Sequence, residues 1–548
     1  MDQKDAIFKL RLPLRMRVIM YGYRSCEIPA LKEPVHVTED FQLHRFTPSD
    51  VTLRPPSMVS LGCHVDGACL PHVDMSDADT AYAGACKRVG PFLPKMSVKR
   101  RRHFRRFVQR WMKRNLRPLN PSTDFSVEKW LETTHYSLSR KQQLLEKYNN
   151  ILDPHSRRYK IVKSFIKDET YDDFKHARTI NSRTDEFKTL VGPFVKAVEK
   201  EVFKNPHFIK YVPMIDRPKT LLDKFDGKYK YINSTDFTSF EAHFDDFLED
   251  TEMALYEYMF QHIPMREFII NLLEDGLLHT NVLVFKNFTV SVWRRRMSGE
   301  MSTSLGNGFC NLMLILYITH HIMNEKADPL VEGDDGIFGT FTKPPTPSWL
   351  YQELGIKLKI ETCENIADAS FCGNVFDPVE LTNTTCPVST MLSFGWTTSR
   401  YLRSTDKRLN ELLRSKALSL IHQYPGCPVL SELAQYALRV TPNVRARCGV
   451  TNEYEREQMA EWVGKPLPIK EPGYRTRLLV EKKFGLLVED QLKIESYLKA
   501  KTDLSPISIP CLSVYFKHAH MKYYHNYRHN LDLKHNERMI MPVMINAH

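Results

Sequence analysis

The sequence predicts an α+β protein of several lobes, on three observations. Strand and helix patterns alternate from about residue 229 to 372, one hairpin signal stands out within that stretch, and the chain beyond Phe394 reads as mainly helical. A chain of 548 residues is long enough for roughly three or four lobes with a cleft between them. Its 42% hydrophobic and 26% charged residues exclude a disordered or fibrous protein.

Residues 1 to about 95 are rich in Pro, Asp and short polar runs, which predicts mostly loops and short strands. The start, Met1-Asp-Gln-Lys-Asp5, has neither the basic nor the apolar part of a secretory signal. The longest apolar run, near Leu312 to Ile318, falls far short of the ~20 residues of a membrane span. The 11 cysteines are scattered from Cys26 to Cys511, as expected of a reduced, intracellular protein rather than a disulfide scaffold. Cys63, His64, Cys69 and His72 invite a zinc reading, but their spacing fits no standard finger and they are read as loop residues.

The net charge is +12, and its excess is local. Between Lys95 and Arg117 stand 11 Lys or Arg residues and no Asp or Glu, among them Arg100, Arg101 and Arg105. Phe104, Phe107, Val108, Trp111 and Met112 fall between them at helical spacing, so one face is apolar and another cationic. Such a helix suits a phosphate backbone or an anionic membrane surface. Amphipathic helix follows over Phe125 to Leu152 (Val127, Trp130, Leu131, Leu144, Leu145, Tyr148), then a charged segment from Lys163 to Lys200.

The chemistry is concentrated further on. A strand containing Tyr231 and Ile232 ends at Asp236, and a helix is expected from near Ser239 through Tyr258, carrying Glu241 and His243. About a hundred residues later comes Pro329-Leu-Val-Glu-Gly-Asp334-Asp335-Gly-Ile-Phe-Gly339, read as a β-hairpin whose four-residue turn carries two aspartates at its tip. Adjacent carboxylates repel unless a cation or solvent neutralises them. Asp236 converging on Asp334 and Asp335 offers hard oxygen ligands for two Mg²⁺ ions. Between these segments, Ser298 and Gly299 make a flexible turn that leads into an apolar helix, Phe309 to Ile322. Thr303 and Asn307, four residues apart, share a helical face and present a hydroxyl and an amide suited, opposite Glu241, to a ribose 2′-hydroxyl.

The ordered set Asp-x4-Glu-x-His, Ser-Gly-x3-Thr-x3-Asn and Gly-Asp-Asp resembles motifs A, B and C of the RNA-dependent RNA polymerases of positive-strand RNA viruses, in the tombusvirus-like group. Phe165-Ile-Lys167-Asp-Glu169 with Lys175-His-Ala-Arg178-Thr-Ile-Asn-Ser-Arg183 resembles motif F. Leu354-Gly-Ile-Lys-Leu-Lys359 resembles motif D, and Ser370-Phe-Cys372-Gly373 the primer-gripping motif E. The resemblance covers about Lys163 to Gly373, with one departure: Glu241 stands where the family usually has Asp.

The resemblance implies a right-hand polymerase of fingers, palm and thumb with a ferredoxin-like antiparallel palm sheet and a mainly helical thumb. It divides the chain into an N-terminal extension with a basic finger region (1–120), fingers with motif F (121–228), palm (229–393, with a fingers insertion within 265–295) and thumb with tail (394–548). It implies template-directed RNA synthesis from ribonucleoside triphosphates. Asp236, Asp334 and Asp335 are then ligands of two Mg²⁺ (or Mn²⁺) ions, and Lys359 is the general acid for pyrophosphate. Lys167, Arg178, Glu241, Ser298, Gly299, Thr303 and Asn307 contact the nucleotide, while Arg100, Arg101, Arg105, Lys175, Arg183 and Cys372 contact template or nascent RNA. Further viral replication proteins are expected partners. The expected location is the host cytoplasm, at membrane-bound replication complexes reached through another protein. Two rivals have distinct signatures. A reverse transcriptase usually carries Met or an aromatic where Glu332 stands and a steric gate where Glu241 stands; a non-catalytic RNA-binding protein leaves the ordered carboxylates unexplained.

Overall fold

A computed structural model describes residues 37–47, 58–447, 462 and 465–529, apart from Asp74, Ser76, Phe174 and Leu402. The first 36 residues and the end of the His- and Tyr-rich tail lie outside the described residues. The molecule is mixed α+β. Its centre is a four-stranded sheet in the order Leu358–Cys363, Tyr231–Phe237, Asp335–Thr340, Leu330–Glu332, with every neighbour antiparallel.

Side-chain alternation gives this sheet two buried faces. Phe237, Val331, Phe338 and Leu358 join the largest core, with Phe240, Leu248, Leu255, Phe309, Leu312 and Leu316. Ile232, Leu330 and Ile337 point the other way, onto Ile209, Leu221, Phe225, Phe371 and Phe376. The first layer is made by helices Leu248–Met259 and Thr303–Tyr317, the latter continuing as a π-helical turn through Ile322.

The basic segment is the helix Val98–Asn115, opened by Ser97, whose hydroxyl accepts from the Arg100 N–H. Its five apolar residues, Phe104, Phe107, Val108, Trp111 and Met112, are all buried in the main core. A second sheet runs in the order Gln42–Phe46, Phe288–Trp293, Thr280–Val284, Ile161–Ile166, Thr179–Arg183, with only the Ile161–Ile166/Thr280–Val284 pair parallel. The C-terminal part is helical as expected, with helices at Asp406–Gln423, Leu430–Arg439, Tyr474–Phe484 and Val488–Ala500. Among the described residues no helix is long and apolar enough to cross a membrane.

Three expectations are corrected. The stretch before residue 95, read as mostly loops and short strands, also holds a helix, Ala78–Val89, capped by Asp77 and made largely of small residues that give little hydrophobic periodicity. Residues 1–120 are not one unit, since Leu61, Cys63, Val65 and Leu70 pack into the C-terminal core with Leu409, Leu413 and Leu433 while the basic helix packs into the main core. The helix after Asp236 starts at Leu248, because Ser239 is left-handed (φ 54°) and Phe240–His243 forms a single 3₁₀ turn. The hairpin turn holds two residues, not four: Glu332 pairs with Asp335, leaving Gly333 and Asp334 at the tip. Gly333 has φ +60°, which a two-residue turn with Gly first requires.

Candidate active site

Register brings the acidic residues together. Thr235 pairs with Gly336, so one step further Asp236 lies opposite Asp335 on the adjacent strand, and Glu332 pairs with Asp335 on the other side. Directly opposite residues share a face, ~5 Å apart. Asp236, Asp335 and Glu332 therefore project from one face, with Asp334 at the tip beside them. Asp236 and Asp334 are exposed and Asp335 is half-buried. Burial, then the charges of Asp334, Asp236 and Glu332, push the Asp335 carboxyl up to about 7, against a smaller opposing pull from Arg178. Three carboxylates and one guanidinium thus act on Asp335.

The hairpin is held from below. Asn311, on the apolar helix, donates its amide to the carbonyls of Gly333 (3.2 Å) and Asp335 (3.0 Å). Gly336 allows that approach, since a Cβ there would meet Ile315 Cδ1 and Thr235 Oγ1 at 2.6 Å. Glu332 is committed to Arg217 (2.7 Å) and lies 3.8 Å from Lys210. Asn311, Arg217 and Lys210 were missed from the sequence; the helical spacing of Asn307 and Asn311 was the available signal for the first.

The basic hairpin, strands Ile161–Ile166 and Thr179–Arg183, carries Lys167 and Arg178 where its connection begins and ends, and there the Lys167 N–H donates to the Arg178 carbonyl (2.8 Å). Their side chains flank Glu169 at 3.1 and 3.3 Å and remain partly exposed. Lys175 is exposed in the same connection. Arg183 is not an RNA-facing residue. Its side chain, 1% exposed, donates to Glu300 (2.6 Å) and to the carbonyls of Tyr159 and Gly276. The strand's inward alternation at Thr179, Asn181 and Arg183 explains the error.

The small-residue loop is docked rather than flexible. Ser298 Oγ donates to the Thr179 carbonyl (2.8 Å) and the Gly299 N–H to the Asn181 carbonyl (2.9 Å), so the loop rides on the basic hairpin. A Cβ at Gly299 would come 2.9 Å from that carbonyl. Thr303 is half-buried, and its hydroxyl donates to the Met297 and Glu300 carbonyls at the helix start. Asn307 is buried, and its Oδ1 has no protein partner. Glu241 is also buried and pairs with Arg88 (2.6 Å), a residue outside every motif singled out.

Lys359 sits opposite Asp236 on the outer strand, 63% exposed, with its ammonium on Glu361. That contact chiefly, and Asp236 more weakly, raise its pKa. Cys372 is left-handed (φ 52°) and its thiol points at Glu332 (3.6 Å), which ties the end of the Ser370–Phe371 strand to the hairpin. Arg100 pairs with Glu353 (2.7 Å) and lies over Trp349, and Arg101 is half-buried along a cavity of about 240 Å³ beneath the helix. Arg102, Arg105, Arg106 and Arg110 are exposed, and among the described residues no ion pair engages them. His64 instead bonds Ser60 (2.6 Å) and His72 bonds Asp168 (2.7 Å), two separate commitments.

Among the described residues no three His, Cys, Asp or Glu side chains are gathered closely enough to enclose an ion unaided. Mg²⁺ sites in phosphoryl-transfer proteins seldom need that, since one or two carboxylates are completed by water and substrate phosphates. The oxygen-only donors around Asp335, together with its raised pKa, fit a divalent cation of that kind. No protein-family model and no curated protein matches the chain.

Proposed function

We propose that this chain is an RNA-directed RNA polymerase of a positive-strand RNA virus, with a right-hand fold whose palm is the central sheet. The observation that carries the reading is the strand register that sets Asp236 opposite Asp335 and beside the Gly333–Asp334 tip at one end of the sheet, close enough that Asp236, Asp334 and Arg178 all act on the Asp335 carboxyl. The ordered motifs add to it: although far apart in sequence, the Ser-Gly loop is bonded to the basic hairpin, and the helix that follows the loop holds the Gly-Asp-Asp turn through Asn311.

In this reading Asp236 and the Asp334–Asp335 pair hold divalent cations, which supply a more nucleophilic 3′-hydroxyl and charge neutralisation on the triphosphate. Arg178 and Lys167 bind and orient the triphosphate oxygens. Glu169 keeps both cations in position between turnovers. Asn307 and Glu241 read the ribose. Lys359, in register with Asp236, delivers a proton to the leaving pyrophosphate once it exchanges Glu361 for that anion. The exposed arginines of the helix Val98–Asn115 line the path of the RNA backbone.

The test is extension on a homopolymeric RNA template with the complementary ribonucleoside triphosphate and Mg²⁺ or Mn²⁺. The purified chain is expected to incorporate label and Asp334→Asn to lose at least a hundredfold while still binding RNA. Absence of incorporation on every homopolymer, or undiminished incorporation by the variant, overturns the reading.

A further inference from the structure

We infer that Arg88 is a specificity-determining residue, setting by its pairing with Glu241 how strongly a ribose is preferred to a deoxyribose. The inference rests on the polymerase reading and concerns a residue outside all the motifs that support it.

Arg88 closes the helix Ala78–Val89. Its Nη2 donates to Glu241 Oε1 at 2.6 Å, with the two side chains 21% and 9% exposed. The same helix end holds the backbone of the turn, because the Lys87 carbonyl accepts from Ser239 Oγ (2.9 Å). Ser239 is left-handed, so this contact lies at the bend that places Glu241. The opposite side of the turn is fixed by His243, which burial keeps neutral by lowering its pKa to about 4. Its Nδ1–H donates to the Ser239 carbonyl (3.1 Å) and its Nε2 accepts from the Lys357 N–H (2.8 Å). The Glu241 carbonyl accepts from the Arg296 N–H (3.3 Å), where the loop leading to Asn307 begins. Glu241 is thus clamped between three elements, and among the described residues Arg88 alone pairs with its charge.

The clamp leaves a defined deficit. Glu241 Oε2 and Asn307 Oδ1 are buried acceptors with no donor among the described residues. Sites with buried acceptors waiting for a hydroxyl discriminate steeply, because an analogue without that hydroxyl leaves them unpaired. By occupying Oε1, Arg88 leaves only Oε2 to be satisfied. Glu in place of the family's usual Asp adds the methylene that extends the carboxylate toward Arg88. Without Arg88 the carboxylate is free to rotate, and both of its oxygens compete for whatever donor enters.

The experiment compares kcat/KM for ribo- and deoxyribonucleoside triphosphates in the full chain and in Arg88→Met, Arg88→Lys, Glu241→Gln and Arg88→Met/Glu241→Gln. Arg88→Met is expected to lower the ribo-to-deoxyribo ratio about tenfold or more, by slowing ribonucleotide use while deoxyribonucleotide use changes little. Arg88→Lys retains part of the preference, and the double variant is no worse than the poorer single one. A purely structural arginine slows both substrates alike and leaves the ratio unmoved; that result, or additive effects in the double variant, overturns the inference. If the unaltered chain uses neither nucleotide, the polymerase reading fails first and takes this inference with it.

Discussion

Asp335→Asn is expected to stabilise the protein while removing its response to Mg²⁺. In the folded state the Asp335 carboxyl is raised from an ordinary 3.8 to about 7, by burial and by Asp334, Asp236 and Glu332. A raised folded-state value means that the native protein holds a proton the unfolded chain has already released. Stability is therefore undiminished below about pH 4, declines as pH rises toward 7, and stays low above it. That interval spans roughly 3 pH units at about 1.4 kcal/mol each, an upper bound of about 4 kcal/mol. Partial exposure and relaxation of the neighbouring carboxylates reduce the expected gain from the Asn variant to about 1–3 kcal/mol at pH 8. The assay is thermal unfolding of both proteins from pH 4 to 8, with and without Mg²⁺. The variant's advantage should grow from near zero at pH 4 to its full size by pH 7. Added Mg²⁺ should raise the melting temperature of the unaltered protein only. Equal or lower stability of the variant at pH 8, or an equal Mg²⁺ response, refutes the electrostatic argument.

Two further outcomes follow from the geometry. Arg183→Met strips the buried Glu300 of a partner and should cost about 3–5 kcal/mol in urea unfolding, whereas an RNA-contacting arginine would cost almost nothing. Reversing three exposed charges, Arg102→Glu, Arg105→Glu and Arg106→Glu together, should leave the melting temperature within a few degrees. Affinity for single-stranded RNA should fall, with the salt dependence of its logarithm shallower by about 2; an unchanged slope removes this helix from the RNA path.

What the sequence made legible were features carried by local chemistry. The apolar stripe of the basic helix is buried residue for residue, and Asp236 and Gly-Asp-Asp fall at a strand end and a turn because alternation and glycine dictate it. What escaped depends on partners distant in sequence. Arg183 reads as one more cation in a basic run until Glu300 and two carbonyls enclose it. Arg88 lies 153 residues before Glu241, and no local pattern announces their pairing. The supposedly flexible Ser298–Gly299 turn is rigid because a strand more than a hundred residues earlier supplies its hydrogen-bond acceptors. The helix expected at Ser239 failed on a backbone cost: its left-handed residue is held by the Lys87 carbonyl, 152 residues earlier, and by the His243 ring across the turn.

The most direct measurement of the central claim is Mn²⁺ binding followed by electron paramagnetic resonance in the unaltered chain, Asp236→Asn and Asp334→Asn. If the strand end and the hairpin tip share a cation, each substitution should weaken binding at least tenfold, although the two residues lie almost a hundred positions apart. Binding that survives Asp236→Asn at full strength would show that the two segments hold no common ion, and the account would fall with it.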